Sequence, residues 1–375
     1  MIPLERGKVW RQLLAWPELG VALVVILMFS GAAALSRRVQ EPILDPATGM
    51  VSRDASGEKI TTERNVFLNP SNLQQITREA SYFAIMAVGA TIVLVGGGVD
   101  LSIASIFTLS AIVAARIMSA TTYSGAVPIS AEQEAHWIAQ GVLPSASTRI
   151  FQGTLAGIAT GAACGALNGI LVTALKSPPF LITLGTMLIY RAIAFLMTMA
   201  ASVGSLPGEF VSDFGQATFG GLNVHVPLTI AVVLLGWIYM SFSVPGRMTL
   251  AVGGNEEAAR TAGLPVLRIK VLSYTIAGAL GGVAALLYLA SSGSIQSGDG
   301  RGWELTVIAA AVIGGASLSG GRGTAIGALL GALFLELLKN SLFTLQIPQN
   351  YEQLVIGIVI VSAAGFNRLR ERLSA

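Results

Sequence analysis

Charge, cysteine and histidine are scarce in this chain. Only 11% of its 375 residues are charged, whereas soluble domains carry roughly 25%. One cysteine excludes an internal disulfide, and two histidines would need carboxylate help to bind zinc. The only Gly-Lys pair, Gly7-Lys8, lacks the upstream glycines of an ATP-binding loop. No Ser/His/Asp set occurs either, so we expect a protein that is not an enzyme and holds no metal or cofactor.

Apolar residues, in contrast, are abundant: 53% of the chain is hydrophobic and the mean hydropathy is +0.70. A soluble core of this size would still need a charged surface, so most of the chain must face lipid. A membrane-spanning helix needs about 20 mostly apolar residues. We therefore predict an all-α, polytopic fold with about ten spans. They lie near 18–36, 73–95, 103–120, 150–175, 180–200, 227–243, 271–291, 304–317, 324–345 and 353–367.

Positive charges predict the orientation, because cytoplasmic loops carry an excess of Lys and Arg. Basic residues concentrate at the N-terminus, in segment 244–270 and at the C-terminus, whereas 201–226 and 117–148 have none. We therefore expect both termini in the cytoplasm. Loop 37–72 is assigned outside although it contains five basic residues, and the other segments outweigh it. The first apolar run is long for a signal core, so we expect an uncleaved span.

Glycine recurs at every fourth position in two predicted spans. Such a strip lies on one face of a helix and lets a neighbouring backbone approach closely. The strips predict tight helix packing, a property that channels, carriers and membrane enzymes share. They consist of Gly153, Gly157, Gly161, Gly165 and Gly169 in the fourth span, and of Gly323, Gly327 and Gly331 in the ninth.

Two glycine-rich segments interrupt the apolar runs. Segment 96–102 reads GGGVDLS and segment 314–323 reads GGASLSGGRG. Their glycines free the backbone from helical geometry, and Asp100 or Ser102 can cap the helix that follows. Each segment either lines a pathway or forms a tight turn at the cytoplasmic surface. Candidate path or gate residues are Gly97, Gly98, Asp100, Leu101, Ser102, Gly314, Gly315 and Ser317.

Segment 253–265 reads as a complete short helix in the cytoplasm. Asn255 is a good N-cap, two glutamates follow in the first turn, Gly263 suits the left-handed C-terminal position and Pro265 prevents continuation. Such a helix either docks into a partner protein or is a surface helix with no partner. Candidate docking residues are Gly254, Asn255, Glu256, Glu257, Ala258, Ala259, Arg260 and Gly263.

Charged residues within or near predicted spans include Arg191, Glu304, Glu336 and Lys339. Charge inside a membrane indicates function by default, although residues at helix ends can instead reach the interface. The last two are three positions apart and can neutralise each other.

With these motifs the chain resembles the permease subunits of ribose-, xylose- and galactose-type ABC importers, in the branched-chain-amino-acid/ribose permease superfamily. The matching stretches include AIMAVGATIVLVGGGVDLSIAS, LNGILVTALKSPPFLITLGTMLIYRAIA, AVGGNEEAARTAGLPVLRIKVLSYTIAGALGG and WELTVIAAAVIGGASLSGGRGTAIGALLGA, between about residue 80 and the C-terminus. In this family, Gly98, Asp100, Leu101 and Ser102 would match a GG-x-DLS element near the translocation path, and Asn255–Gly263 would match the coupling segment.

The resemblance implies a single permease domain over 1–375 with a fold of the vitamin-B12-importer type in a bacterial inner membrane. It also implies three protein partners: a second permease copy or homologue, a cytoplasmic ATPase that holds ATP and Mg, and a periplasmic sugar-binding protein. Nothing points to nucleic acid. Segments 37–70 and 121–148 are longer than the family pattern and are expected as periplasmic insertions. Alternative solutes are a nucleoside, a quorum-signalling furanose or a branched-chain amino acid, and an ion-coupled secondary transporter is the alternative mechanism.

Overall fold

The computed structural model describes residues 17–42, 51–53, 56–119, 130–220, 222–348, 350–351, 354–359, 361–362 and 365. Its helices are α1 (Pro17–Leu35), α2 (Pro70–Val95), α3 (Ile103–Met118), α4 (Ala131–Ala139), α5 (Ala146–Leu175), α6 (Pro179–Thr198), α7 (His225–Phe242), α8 (Val244–Gly254), α9 (Glu256–Thr261), α10 (Val266–Ser292), α11 (Trp303–Ile313) and α12 (Ala325–Thr344). A π-helical turn covers Glu209–Phe214.

Seven of the described helices are long and apolar enough to cross a membrane: α1, α2, α5, α6, α7, α10 and α12. This agrees with the expected polytopic membrane protein. Helices α3 and α11 are apolar but shorter, with 16 and 11 residues. At 1.5 Å per residue, α11 rises only about 16 Å, roughly half of a bilayer core. Helices are thus present at the third and eighth predicted spans, but each is shorter than the roughly 20 residues of a full span.

The tenth predicted span, 353–367, is described only in part: residues 354–359, 361–362 and 365 are helical. The basic residues near the two termini, from which the cytoplasmic location of the termini was predicted, also lie outside the described residues. The count of ten spans and the cytoplasmic termini therefore stay predictions.

Two small antiparallel sheets correct the strictly all-α prediction. Strand β1 (Arg38–Pro42) pairs with β2 (Thr61–Asn65) in the segment between α1 and α2, and β3 (Thr218–Phe219) pairs with β4 (Leu222–Asn223) before α7. These polar connections lie outside the apolar helices, where hairpin pairing satisfies backbone groups that no helix satisfies. The fold remains predominantly helical.

The described part of the 121–148 segment is fixed to the bundle by one buried side chain. Arg149, in the first turn of α5, is only 2% exposed. Its guanidinium donates to the Met118 carbonyl at 3.0 Å and forms an ion pair with Glu134 of helix α4. A buried arginine needs such partners because an unpaired charge is costly there. Helix α4 thus rests on the end of the bundle where α3 ends and α5 begins.

Helix α2 forms the centre of the bundle. Of its most apolar 18-residue stretch, 89% is buried, whereas only 6% of the matching stretch of α1 is buried. Helices α10, α12, α11, α7 and α8 surround α2, and α10 packs most extensively on α5. Helix α1 lies at the periphery against α12. The turns at 96–102 and 314–324 meet the segment 243–265, which contains α8 and α9, at one end of the bundle. We call this end the coupling end.

Candidate functional site

The predicted short helix is present at the coupling end. The Asn255 side chain accepts a hydrogen bond from the Ala258 backbone N–H at 2.9 Å and so caps α9. Gly263 has a φ of +81°, the left-handed conformation that ends a helix without a Cβ penalty. Ala259 is buried against Val252 and Val266, which holds α9 on the bundle.

The opposite side of α9 is uncovered. Its exposed side chains are Glu257, Ala258, Arg260 and Thr261. Glu256 attaches α9 to α10, because its carboxylate contacts Lys270 of α10 at 2.5 Å. The same carboxylate contacts Arg260 of α9 at 2.9 Å. The hydrogen bond from Lys270 is the main cause that lowers the pKa of Glu256 below its ordinary value. Helix α9 therefore presents a free outer face and is tied to α10 by charge.

Two glycine turns contact the C-terminal end of α8, just before α9 in the chain. Gly321 N–H donates to the Val95 carbonyl at 2.9 Å, which joins the end of α2 to the turn before α12. A methyl group at Gly253 would lie 1.7 Å from that same carbonyl oxygen, and one at Gly320 would lie 2.3 Å from the Gly253 oxygen. A methyl group at Gly97 would lie 3.5 Å from Gly253 Cα. We call Gly97, Gly253, Gly320 and Gly321 the glycine junction.

The turn between α2 and α3 enters the bundle as a buried polar network. Asp100 and Ser102 are only 3% and 0% exposed. One carboxylate oxygen of Asp100 accepts hydrogen bonds from Ser102 N–H at 2.8 Å and Ser102 Oγ at 2.6 Å. Ser102 is the N-cap residue of α3, but its side chain makes no capping bond. Of the two predicted caps, only Asp100 binds the backbone there.

Residues that the sequence analysis did not select complete this network. Asn168 of α5 donates to Ser102 Oγ at 2.6 Å, and Tyr190 of α6 donates to Asn168 at 3.1 Å. Tyr274 of α10 donates to the Val99 carbonyl at 3.3 Å. A polar side chain inside a glycine-rich span was the available signal for Asn168, which lies one position before Gly169. Leu101 N–H is bound by Thr183 Oγ1 at 3.1 Å.

The second glycine-rich segment forms a compact turn between α11 and α12. Gly314 ends α11, where a methyl group would lie 2.1 Å from the Gly327 oxygen. Gly315 follows with a φ of +96°. Ser317 N–H donates to the Arg322 carbonyl at 2.9 Å, and its hydroxyl accepts from Ser319 N–H at 3.2 Å. Segment 314–317 thus closes on itself beside the glycine junction.

The glycine strip of α5 lies against two neighbouring helices. A methyl group at Gly161 would be 2.2 Å from the Gly278 oxygen of α10, and one at Gly165 would be 2.1 Å from the Tyr274 oxygen. Gly153 faces α3, Gly157 faces α3 and α10, and Gly169 faces α10. Backbones therefore touch where the glycines are, which larger side chains would prevent.

The glycine strip predicted for the ninth span was wrong at Gly323. Helix α12 begins only at Ala325, and Gly323 precedes it with a φ of +155°. Gly323 therefore belongs to the turn, and the helical strip consists of Gly327 against Gly314 and Gly331 against Ala310.

The four charged residues that the sequence analysis selected form two pairs. Arg191 of α6 contacts Glu304 of α11 at 2.9 Å, with side chains that are 21% and 13% exposed. Glu336 and Lys339 lie 3.8 Å apart on α12, as their spacing predicted. The ammonium group of Lys339 also lies 4.6 Å from the Phe83 ring centroid. The Arg191–Glu304 pair between two helices was not predicted, because the sequence does not reveal which spans are neighbours.

Comparison with known proteins decides the family. Residues 72–364 match the family described as branched-chain amino acid transport system / permease component. The chain belongs to this permease family. It is 35% identical to the ribose import permease protein RbsC of Bacillus subtilis over 305 residues, which cover 80% of this chain and 86% of that protein.

Two further relatives extend the comparison. The D-allose transport system permease protein AlsC of Escherichia coli is 31% identical over 303 residues, covering 81% of this chain and 85% of that protein. The autoinducer 2 import system permease protein LsrC of Klebsiella pneumoniae is 31% identical over 315 residues, covering 82% and 84%. No solved structure matches the chain. The resemblance stated from the motifs is thereby confirmed.

Proposed function

We propose that this chain is the membrane-spanning permease subunit of a bacterial ABC importer that carries a monosaccharide across the inner membrane. The observation that carries the proposal is helix α9, a capped helix with an uncovered outer face that follows directly after Gly253 of the glycine junction in the chain. ATP and Mg would be held by a separate ATPase. A second permease copy or homologue and a periplasmic sugar-binding protein complete the assembly.

The proposed topology follows from the same assignment. The coupling end faces the cytoplasm with both termini, and the segments 37–70 and 121–148 face the periplasm. The chain would form one permease domain with ten spans of the vitamin-B12-importer type, the last one containing the helical residues 354–359. Membrane lipid surrounds the apolar exposed faces.

Alternating access is the proposed mechanism. Closure of the ATPase around ATP displaces α9, and the displacement reaches α2 and α12 through the glycine junction. Because backbone contacts backbone there, few flexible side chains lie between the moving parts. The space between two permeases then opens outward, accepts the sugar from the binding protein, and closes again after hydrolysis. Weak solute binding by the permease favours release.

A monosaccharide is the favoured solute because RbsC and AlsC, by their names, serve ribose and D-allose. A quorum-signalling furanose is the second candidate, favoured by the similarity to the autoinducer 2 permease LsrC. Competition for uptake in proteoliposomes separates the two. D-ribose, D-allose and the furanose signal are tested as competitors against a labelled monosaccharide.

Reconstitution tests the importer itself. The permease, its ATPase and its binding protein are placed in proteoliposomes, and labelled sugar uptake is measured with ATP and Mg. Uptake that requires ATP supports the proposal. Uptake by the permease alone, driven by an ion gradient, would instead establish a secondary transporter.

The docking role of α9 is tested by placing bulk on its exposed face. Ala258→Trp should abolish co-purification with the ATPase and leave membrane insertion intact, because Ala258 is exposed and makes no core contact. Glu257→Trp should act in the same way. The matched control is Ala135→Trp, an exposed alanine of helix α4 at the opposite end of the bundle. Undiminished co-purification of both α9 variants would reject the docking role.

A further inference from the structure

Between α10 and α11 the chain turns back toward the interior of the bundle. Residues 293–302, called here the re-entrant loop, contain no helix and only a single bridge, in which Ile295 exchanges two backbone hydrogen bonds with Val203 at 2.8 and 3.0 Å. The loop then reaches α3, where Thr108 Oγ1 donates to the Asp299 carbonyl at 2.7 Å. Gly300 lies against α3 with a φ of +74°.

Two contacts show how deep this loop reaches. Trp303, which follows the loop, packs against Phe83 at a tilt of 57° with ring centroids 5.0 Å apart, and Phe83 lies halfway along the 26-residue helix α2. On α3, Ser110 lies two positions beyond Thr108. Its carbonyl oxygen is 3.3 Å from a methyl group placed at Gly157, in the central third of the 30-residue helix α5. The inner end of the re-entrant loop is therefore near the middle of the membrane-spanning bundle.

At this depth the loop presents polar groups on the outside of the protomer. Arg301 and Gly302 at its inner end are exposed, and so are Gln296 and Gly298, which lie closer to the bridge with Val203. Within the described residues Arg301 makes no hydrogen bond or ion pair. Lipid cannot solvate irregular backbone or a guanidinium group, so a face of this kind must line a water-filled space or meet another protein.

The neighbours of the loop supply further groups that suit a polyhydroxylated solute. The Arg191–Glu304 pair lies at the start of α11 and is partly exposed. Trp303 is half-buried and held by Phe83, Phe107 and Tyr288, whose ring centroids lie 5.0, 5.2 and 5.8 Å away. Amide, guanidinium and carboxylate groups bind hydroxyls, and a fixed indole gives an apolar surface beside them.

We infer that the exposed face of the re-entrant loop, with the Arg191–Glu304 pair and Trp303, lines the solute path at mid-membrane and contacts the sugar during passage. The inference rests on the proposed function and assigns to it the groups that meet the solute. The ligand class is a neutral polyhydroxylated molecule. The Arg191–Glu304 pair is neutral overall and partly exposed, so it can make weak and reversible contacts with an uncharged solute.

Thiol labelling of the complete importer in proteoliposomes tests this inference. Cys164 is the single native cysteine, so Cys164→Ala serves as the parent. Arg301→Cys and, in a second variant, Gln296→Cys are exposed to a charged, membrane-impermeant methanethiosulfonate. Both should react at least about tenfold faster than Leu27→Cys, because the thiolate that reacts forms in water and not in lipid. Leu27 is the control, being 61% exposed on the peripheral apolar helix α1.

Sugar contact is tested by protection. D-ribose, D-allose and L-arabinose are first screened for uptake by the parent, and the transported sugar is then added during labelling. Slower labelling of both variants supports the inference. Labelling no faster than that of Leu27→Cys, or labelling that the transported sugar does not slow, would overturn it. A parent that takes up no sugar with ATP would count against the proposed function instead, and labelling rates would still decide whether the loop faces water.

Discussion

Replacement of Gly253 by alanine should uncouple ATP hydrolysis from transport. The added methyl group would lie 1.7 Å from the Val95 carbonyl oxygen and 2.9 Å from Gly321 N. Carbon and oxygen normally approach to about 3.3–3.6 Å, so the end of α8 must move away from α2 by at least about 1.6 Å. Both neighbours are backbone atoms of glycine turns or helix ends, which cannot rotate aside as a side chain would.

The cost of such overpacking is about 1–3 kcal/mol. It applies to every conformation that contains the glycine junction and not to conformations in which the junction is open. The equilibrium between these conformations should therefore shift by about 5- to 150-fold. We expect sugar uptake in proteoliposomes to fall by a factor in this range, while membrane insertion and ATPase co-purification persist because the exposed face of α9 is unchanged.

Gly185→Ala in helix α6 is the control, since no atom lies within 4 Å of a methyl group at that position. It should retain uptake and sugar-stimulated ATP hydrolysis near the levels of the unmodified chain. If Gly253→Ala transports as well as Gly185→Ala, the glycine junction does not carry the motion and the proposed route from α9 to α2 is wrong.

Asp100→Ala should lower the midpoint of thermal unfolding in detergent more than Asp100→Asn, because only alanine leaves a buried backbone N–H unbound, at a cost of about 1–3 kcal/mol; equal midpoints would contradict this. Glu256→Gln should lower the same midpoint at pH 7. The lowered pKa of Glu256 means that the contact with Lys270 contributes above about pH 4.3, so the difference should vanish as the pH falls further, and a difference that persists in acid would refute the ion-pair explanation. Glu304→Gln should destabilise the protein by leaving Arg191 without its partner, and Arg191→Gln in the same chain should restore part of the loss; a purely additive double variant would show that the pair is not coupled.

Local signals were sufficient for part of this site. Helix α9 begins after Asn255 and ends before Gly263 as predicted, because capping, charge in the first turn and left-handed glycine all act within a few residues. The apolar runs likewise predicted the long spans, since lipid imposes a length and a composition on each helix separately.

Predictions that depended on distant partners were less complete. The contact of Gly253 with Val95 and the pairing of Arg191 with Glu304 could not be predicted, because neither contact has a local pattern. The period of the glycines wrongly extended α12 to Gly323, whose φ of +155° places it in the preceding turn. Glycine at every fourth position indicates only which residues would share a helix face, and it does not determine where the helix begins.

Hydropathy and capping are properties of neighbouring residues, so they were enough to predict a mostly helical membrane protein with a short capped helix between its spans. That two glycine turns meet the end of α8, and that a polar loop reaches the middle of the bundle, became evident only from the fold. Both arrangements join segments far apart in the chain, and close packing of backbones selects them.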